Sequence, residues 1–499
     1  MDKDGILEII KNPGLTYPQR VLALAKAAEN VPPPLSMSDE TEQFIEQEIV
    51  FDMFEGNAPF RPRYILPDYE RFLKQGSEFL MLSPAKNIRE AVDNLLVMYH
   101  NVPAAGGELV FIGNLDSLLE PFITDESEAR AAIKALLTHV DRTVSSSFCH
   151  CNIGPHDTKA GRIILELSEE MKRPVPNMTL LYSDETPDDF ALLAIRVGLS
   201  VAKPSFANHA VYMSDWGEKY GIVSCYNALP VGGGGLTLGR LNLKKLAEQA
   251  NSPEHLTDEL LPKAIAAQCE QMEKRCGFII DDCAFFKHSF LVHEGFISAD
   301  RFVGMFGLVG LAECVNITLG LEKQEDRYGH SERAIVFAEK ILEILQTNVT
   351  SFKSKYCKFY LHAQVGVSDD VATSPGTRIP IGEEPSLPKH LNFTARTHKY
   401  FASGTGDLFP FDETAAKNPQ SVLDIIKGAF AIDTRYFSFY TGGTDLIRVT
   451  GYLVKRSDIE KHAKGQAVLA NSTGLSVGAA KGLGVFNRKV RSEHDSTPS

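Results

Sequence analysis

The chain has no paired-cysteine motif. Its eight cysteines (Cys149, Cys151, Cys225, Cys269, Cys276, Cys283, Cys314 and Cys357) include no Cys-x-x-Cys, so a zinc ribbon or a thioredoxin-like site has no support. Positive charge is also short. There are 51 Lys+Arg against 64 Asp+Glu, a net charge of −13, and a nucleic-acid surface would need a basic stripe to displace counterions. No run is apolar for long enough to span a bilayer. The opening residues, Met1 to Ile10, carry acids where a signal peptide carries lysines, and no cleavage site follows. A cytoplasmic address is expected, with the cysteines as thiols. The Asn-x-Thr sequons at Asn177, Asn316, Asn348, Asn392 and Asn471 then read as chance matches.

What is present is an alternation of short β-rich runs with amphipathic helices. Residues 1–100 look mainly helical, broken by the proline cluster of Val31 to Asp39, where Ser38 or Asp39 suits a helix cap. A strand-like run from Gly107 to Asn114 begins a different regime. It continues with Asn177 to Ser183, then a helix over Pro187 to Leu199, a helix over Ser331 to Thr350, a strand from Lys358 to Gly366, and Tyr436 to Tyr440. Such alternation argues for βα units and a largely parallel sheet. Cys269, Cys276 and Cys283 recur every seven residues on an expected helix and read as buried small hydrophobes.

Two stretches carry the chemistry. In the first, Cys225 follows a short apolar run and precedes four consecutive glycines, Gly232 to Gly235. Glycines give up much conformational entropy on folding, which is odd for a mere connector. No Gly-Lys-Ser/Thr follows, which argues against a nucleotide P-loop. A loop threading a tight interior would explain the missing side chains. In the second stretch, Gly451 interrupts the alternating run from Asp445 to Lys461, where a glycine weakens a strand. It is either a bend or a site that must have no side chain. Ser457 to Glu460 after it reads as a capping box.

Arg448 to Arg456, "RVTGYLVKR", closely resembles the C-terminal signature of the glycyl radical enzyme superfamily, the pyruvate formate-lyases and anaerobic ribonucleotide reductases, with Gly451 at the radical position. "VSCYNALPVG" followed by "LGRLNLKKL" resembles that superfamily's cysteine finger loop, with Cys225 at the thiyl position. Phe111 to Ile123, Val175 to Pro187 and Phe306 to Gly320 look like core segments of the anaerobic reductases. As a whole the chain is most similar to the YjjI-type glycine radical enzymes.

The resemblance implies an α/β fold: a ten-stranded α/β barrel of two parallel half-barrels, helices outside, with the finger loop and the radical loop meeting at its centre. Residues 101–465 would form the barrel, with the radical loop at about 445–456. Residues 1–100 would pack on it, and 466–499 would be a C-terminal extension with a frayed end. It further implies an enzyme of lyase-like or acyltransferase-like type acting anaerobically on a small organic substrate. No cofactor would be bound. A radical S-adenosylmethionine activase, which owns the iron–sulfur cluster, would place the radical on Gly451, and the enzyme would be a homodimer. No nucleic-acid polymer or membrane partner is expected.

The departures from relatives are specific. Ser224 stands where pyruvate formate-lyase-like enzymes carry a second cysteine, which disfavours thioester-forming acyl transfer. Asn227 stands where many dehydratases carry a glutamate, and an amide cannot take up a proton at neutral pH. It could still orient a substrate group. The reductases' N-terminal ATP-binding domain is not expected here and no cysteine follows Cys357 for their zinc site, which weighs against nucleotide reduction; a minimal ribonucleotide reductase is the first rival reading. A radical-bearing spare part without turnover is the second. Asp369 and Asp370 fall where the reductases place a carboxylate, although an acidic loop explains them equally. Glu313 is read as a structural tie before a pocket residue, and Asn177 as a turn or a substrate contact. Cys149 and Cys151 flank His150, and a metal with His156 is weighed below a buried strand with one thiol facing the cavity. His288 and His293 read as ordinary.

Overall fold

A computed structural model describes residues 3–29, 35–52, 60–102, 109–144, 147–363, 373–449, 451–470, 472–474 and 476. In chain order its strands are β1 (Val50–Asp52), β2 (Tyr64–Leu66), β3 (Phe111–Asn114), β4 (His150–Ile153), β5 (Asn177–Tyr182), β6 (Ser205–Asn208), β7 (Tyr220–Val223) and β8 (Asn227–Pro230). They continue with β9 (Gly233–Asn242), β10 (Phe302–Val309), β11 (Phe359–Ala363), β12 (Asp407–Phe411), β13 (Tyr436–Thr441), β14 (Leu446–Arg448) and β15 (Leu453–Lys455).

Hydrogen bonds join these into two main sheets and two hairpins. In the first sheet β9, β10 and β11 run parallel, and the short β1 and β2 pair antiparallel with β9. The second has the order β3-β4-β5-β6-β13-β12, parallel except at the β6–β13 junction. β4, β5, β6, β9 and β10 are buried along their whole length, as strands covered on both faces are. Helices supply the cover: Leu261–Gly277 on β9, Glu332–Ser351 on β11, and Asp188–Val201 on β13. The first of these carries Cys269 and Cys276 inward, both 1% exposed or less.

Two local expectations change. The first hundred residues, besides their helices, lend the short β1 and β2 to the first sheet. The glycine run is no loop: Gly233 to Gly235 open β9, paired with β2 on one side and β10 on the other. Ladder bonds use only backbone groups, so a stretch without side chains serves as strand. The close approach expected there is real, since a Cβ on Gly233 would lie 2.0 Å from the Arg301 carbonyl oxygen and one on Gly234 2.0 Å from that of Tyr64. The capping box at Ser457 does not form. The helix starts at Arg456, and Ser457 instead donates its N–H and its hydroxyl, both at 2.9 Å, to the Asp445 carboxylate. A charged acceptor makes the stronger bond. Ser38 does cap its helix, accepting from the Thr41 N–H at 3.3 Å.

The described part of the C-terminal extension is tied to the body. Gln19 donates to the carbonyls of Val468 and Leu469 at 2.7 and 2.8 Å, and Ser472 bonds Ser147 at 2.6 Å.

Gly234→Ala is expected to destabilise the fold by about 3 kcal/mol or more. The new methyl would meet a ladder carbonyl at a residue whose φ is +149°. Urea or thermal unfolding measures this, and a loss below about 1 kcal/mol would mean that β2 does not pack there.

Candidate active site

Each chemistry-bearing residue sits at the tip of a hairpin. β7 and β8 pair antiparallel with Val223 opposite Asn227, which leaves Ser224, Cys225 and Tyr226 as the turn. β14 and β15 pair with Arg448 opposite Leu453, and the turn between them carries Gly451. The Val449 N–H closes that turn onto the Tyr452 carbonyl at 3.1 Å.

The two tips touch. A Cβ built on Gly451 would lie 2.0 Å from Cβ of Cys225, 2.9 Å from its Cα and 3.0 Å from the Tyr226 ring. Both residues are buried, Cys225 at 5% exposure. Space excludes a side chain here, so this glycine marks a close approach of one α-carbon to one cysteine.

Polar groups hold both tips. On the glycine side, the Gly451 carbonyl accepts from Asn177 Nδ2 at 2.7 Å and from Arg448 Nη1 at 3.0 Å. Arg448 also donates to the Ala202 carbonyl and, at 3.4 Å, to Asn177 Oδ1. Tyr452 bonds Ser476 at 3.1 Å. On the cysteine side, Ser224 takes a left-handed φ of 59°, an uncommon conformation for serine. Its carbonyl contacts His150 Nδ1 at 2.9 Å and Asn177 Nδ2 at 3.5 Å. The next carbonyl, of Cys225, accepts from Tyr436 at 3.1 Å. Thr179 lies between, 2.8 Å from His150 Nε2 and 3.0 Å from the Tyr436 hydroxyl. Burial lowers the His150 pKa to about 3, so the ring is neutral. A carbonyl only accepts, which puts the proton on Nδ1 and leaves Nε2 to accept from Thr179.

Of the expected site residues, the structure brings Gly451, Cys225 and Asn177 into one cluster. Asn177 is neither a turn former nor isolated: it opens β5 and spans both tips. Asn227 begins β8 at 1% exposure, and its Oδ1 has no hydrogen-bond partner among the described residues. Glu313 is the tie it was expected to be, its Oε1 accepting from the Ser374 N–H at 3.1 Å and hydroxyl at 2.7 Å. Its Oε2 is buried without a partner among the described residues, and burial raises its pKa. Asp369 and Asp370 lie outside the described residues.

Cys149 and Cys151 are fully buried, and strand alternation sets them on the face opposite His150. Both ring nitrogens of His150 are committed to the finger loop and Thr179, so the thiol expected to face the cavity lies instead on the other face of the strand. Cys151 donates to the Asn177 carbonyl at 3.6 Å, and burial pushes its thiol up to about 12. Sequence reasoning missed Arg448, His150, Thr179 and Tyr436. Arg448 stood inside the quoted motif, three residues before Gly451, and a cation in an otherwise apolar strand was its signal.

Comparison with known proteins agrees with this geometry. The family model "Glycyl radical enzyme YjjI-like" matches residues 15–491. This chain belongs to the YjjI-like glycyl radical enzymes. A Haemophilus influenzae relative is 45% identical over 502 residues, 98% of each chain. The Escherichia coli protein YjjI is 40% identical over 491 residues, 97% of this chain and 95% of that one. Among solved structures, an anaerobic ribonucleotide reductase superposes with a TM-score of 0.71 at 14% identity, covering 85% of this chain and 81% of that one. The B12-independent glycerol dehydratase from Clostridium butyricum gives 0.69 at 12% identity, covering 93% and 88%. These last two share the mixed α/β fold.

The buried neutral His150 makes stability depend on pH. Its folded pKa of about 3 lies below the ordinary 6.5, so the unfolded chain binds the extra proton first. The contribution is fully present above pH 6.5 and is lost as pH falls. Between pH 6.5 and about pH 5, the wild type should lose on the order of 1.5 kcal/mol more than His150→Leu. Urea titrations at each pH measure the difference, and parallel curves would place a charged imidazole in the fold.

Proposed function

We propose that Gly451 stores an unpaired electron on its α-carbon and exchanges it with the sulfur of Cys225 to transform a small organic substrate anaerobically by elimination or carbon–carbon cleavage. The observation that carries this reading is the contact itself: a glycine α-carbon against a cysteine side chain, both buried, where no side chain fits. A radical on such a carbon is shared with the flanking amide nitrogen and carbonyl if the carbon can flatten, and glycine offers the least hindrance to that. The weak S–H bond makes the exchange nearly balanced. No thiolate is required, so a base beside the sulfur is not needed.

The steps are hydrogen-atom transfers. The Gly451 radical takes the hydrogen of the Cys225 S–H, forming Cα–H and leaving a thiyl radical. The thiyl takes a hydrogen atom from a substrate C–H, and the product radical later takes it back. Burial shields each radical from water and side reactions. The unpartnered Oδ1 of Asn227 suits a substrate hydroxyl as acceptor, while Ser224 in place of a second cysteine argues against acyl transfer. Acid or base work falls to Glu313, whose pKa burial raises, or to Asp369 or Asp370. The first radical comes from a radical S-adenosylmethionine activase, the working unit is a homodimer, and its place is the cytoplasm. No described helix is long and apolar enough to cross a membrane. In this reading the two main sheets, of five and six strands, form the two halves of an α/β barrel around the hairpin tips.

Anaerobic activation should give an electron paramagnetic resonance doublet from the single α-hydrogen, collapsing to a singlet when glycine is α-deuterated. Gly451→Ala should abolish it, and a surviving doublet would move the radical elsewhere. Because a thiol exchanges its hydrogen with solvent, activated wild type in D2O should also drift to a singlet. Cys225→Ser should keep its doublet there, so collapse in that variant would remove the sulfur from the pathway. Air should then cut the activated backbone at Gly451, and an intact chain by mass spectrometry would count against the site.

A further inference from the structure

The Gly451 carbonyl is held more strongly than a hairpin turn requires. One donor satisfies a buried carbonyl, yet this oxygen takes an amide at 2.7 Å and a guanidinium at 3.0 Å. Arg448 is 1% exposed and Asn177 fully buried. Removing a guanidinium from water is costly, and a turn could be tied without one. The donors are also fixed in orientation. Asn177 Oδ1 accepts from the Met178 N–H at 2.9 Å and from Arg448, which leaves Nδ2 pointing at Gly451. The backbone on either side of Asn177 is pinned as well, by Lys203 donating to the Pro176 carbonyl at 2.6 Å and Cys151 to its own carbonyl at 3.6 Å.

We propose that Asn177 and Arg448 form a two-donor cradle that tunes the stored radical by drawing electron density onto the Gly451 carbonyl oxygen, in addition to positioning the tip. The inference rests on the reading of Gly451 as the radical site. A planar glycyl radical is stabilised by the form in which the amide nitrogen has given up density and the oxygen carries negative charge. Donors aimed at that oxygen favour this form, and a low-dielectric interior strengthens them. They are in place before the charge develops, so no reorganisation is required. The result is less spin on the α-carbon, a weaker Gly451 C–H bond, and a resting equilibrium that keeps the radical on carbon rather than on the Cys225 sulfur.

The test compares wild type, Asn177→Ala and Arg448→Lys after anaerobic activation without substrate, reading the α-hydrogen splitting and the decay of the signal. Splitting follows spin on the α-carbon. It should therefore widen in Asn177→Ala and less in Arg448→Lys, which keeps the charge but loses the planar fork. The signal should decay about tenfold faster in Asn177→Ala, the effect of losing one strong hydrogen bond. Unchanged splitting and lifetime in both variants, or a lower melting temperature with an unchanged splitting, overturns the proposal and leaves these residues as structural ties. If Asn177→Ala does not fold by circular dichroism, Asn177→Ser carries the same comparison. If wild type shows no doublet at all, the radical assignment itself has failed. A wild-type doublet with indifferent variants sinks only the cradle.

Discussion

Everything at the centre of this molecule depends on one van der Waals contact, between the α-carbon of Gly451 and the side chain of Cys225. Dispersion between two atoms contributes only about 0.1–0.2 kcal/mol, so the contact cannot hold itself. Two antiparallel hairpins bring the residues together, and polar groups behind each tip keep them there. The geometry is therefore imposed by its surroundings, as a site working at short range requires.

The second sheet does most of this work. His150 and Asn177 are cross-strand partners in the β4–β5 register. One holds the carbonyl before the cysteine and the other the carbonyl of the glycine, so a single rung of a parallel ladder sets the spacing of the two tips. Tyr436 adds a third support from β13, across the junction where strand direction reverses. Parallel strands buried on both faces are rigid carriers, and the residues they present inward here are polar groups that are satisfied largely by loop carbonyls. The first sheet contributes differently. Its glycine-rich strand β9 follows directly after the finger hairpin and admits β2 and β10 at distances that side chains would forbid.

Much of this was legible in the sequence, for identifiable reasons. The two motifs are local, so Gly451 and Cys225 could be named before any coordinates, and the helices over 188–201 and 332–351 follow from their apolar periodicity and from Ser331 as a cap. What could not be read is pairing at a distance. Asn177 lies 274 positions from the carbonyl it holds, and nothing in its neighbourhood of sequence says that it opens a strand facing a loop tip. His150 was obscured by its flanking cysteines, which suggested a ligand set. The glycine run reads as a loop because strand signals reside in side chains, and β9 begins with none. Ser457 matched a cap pattern that a carboxylate twelve residues upstream outcompetes.

The crowding at Gly451 makes its constraint a shared one. The volume denied to a methyl group there is the volume that Cys225 occupies, so the two positions behave as a single steric unit. Trimming Cys225 to glycine would not reopen the position, because its α-carbon at 2.9 Å and the Tyr226 ring at 3.0 Å would still meet the methyl. Only a displacement of the whole finger hairpin would admit alanine at 451.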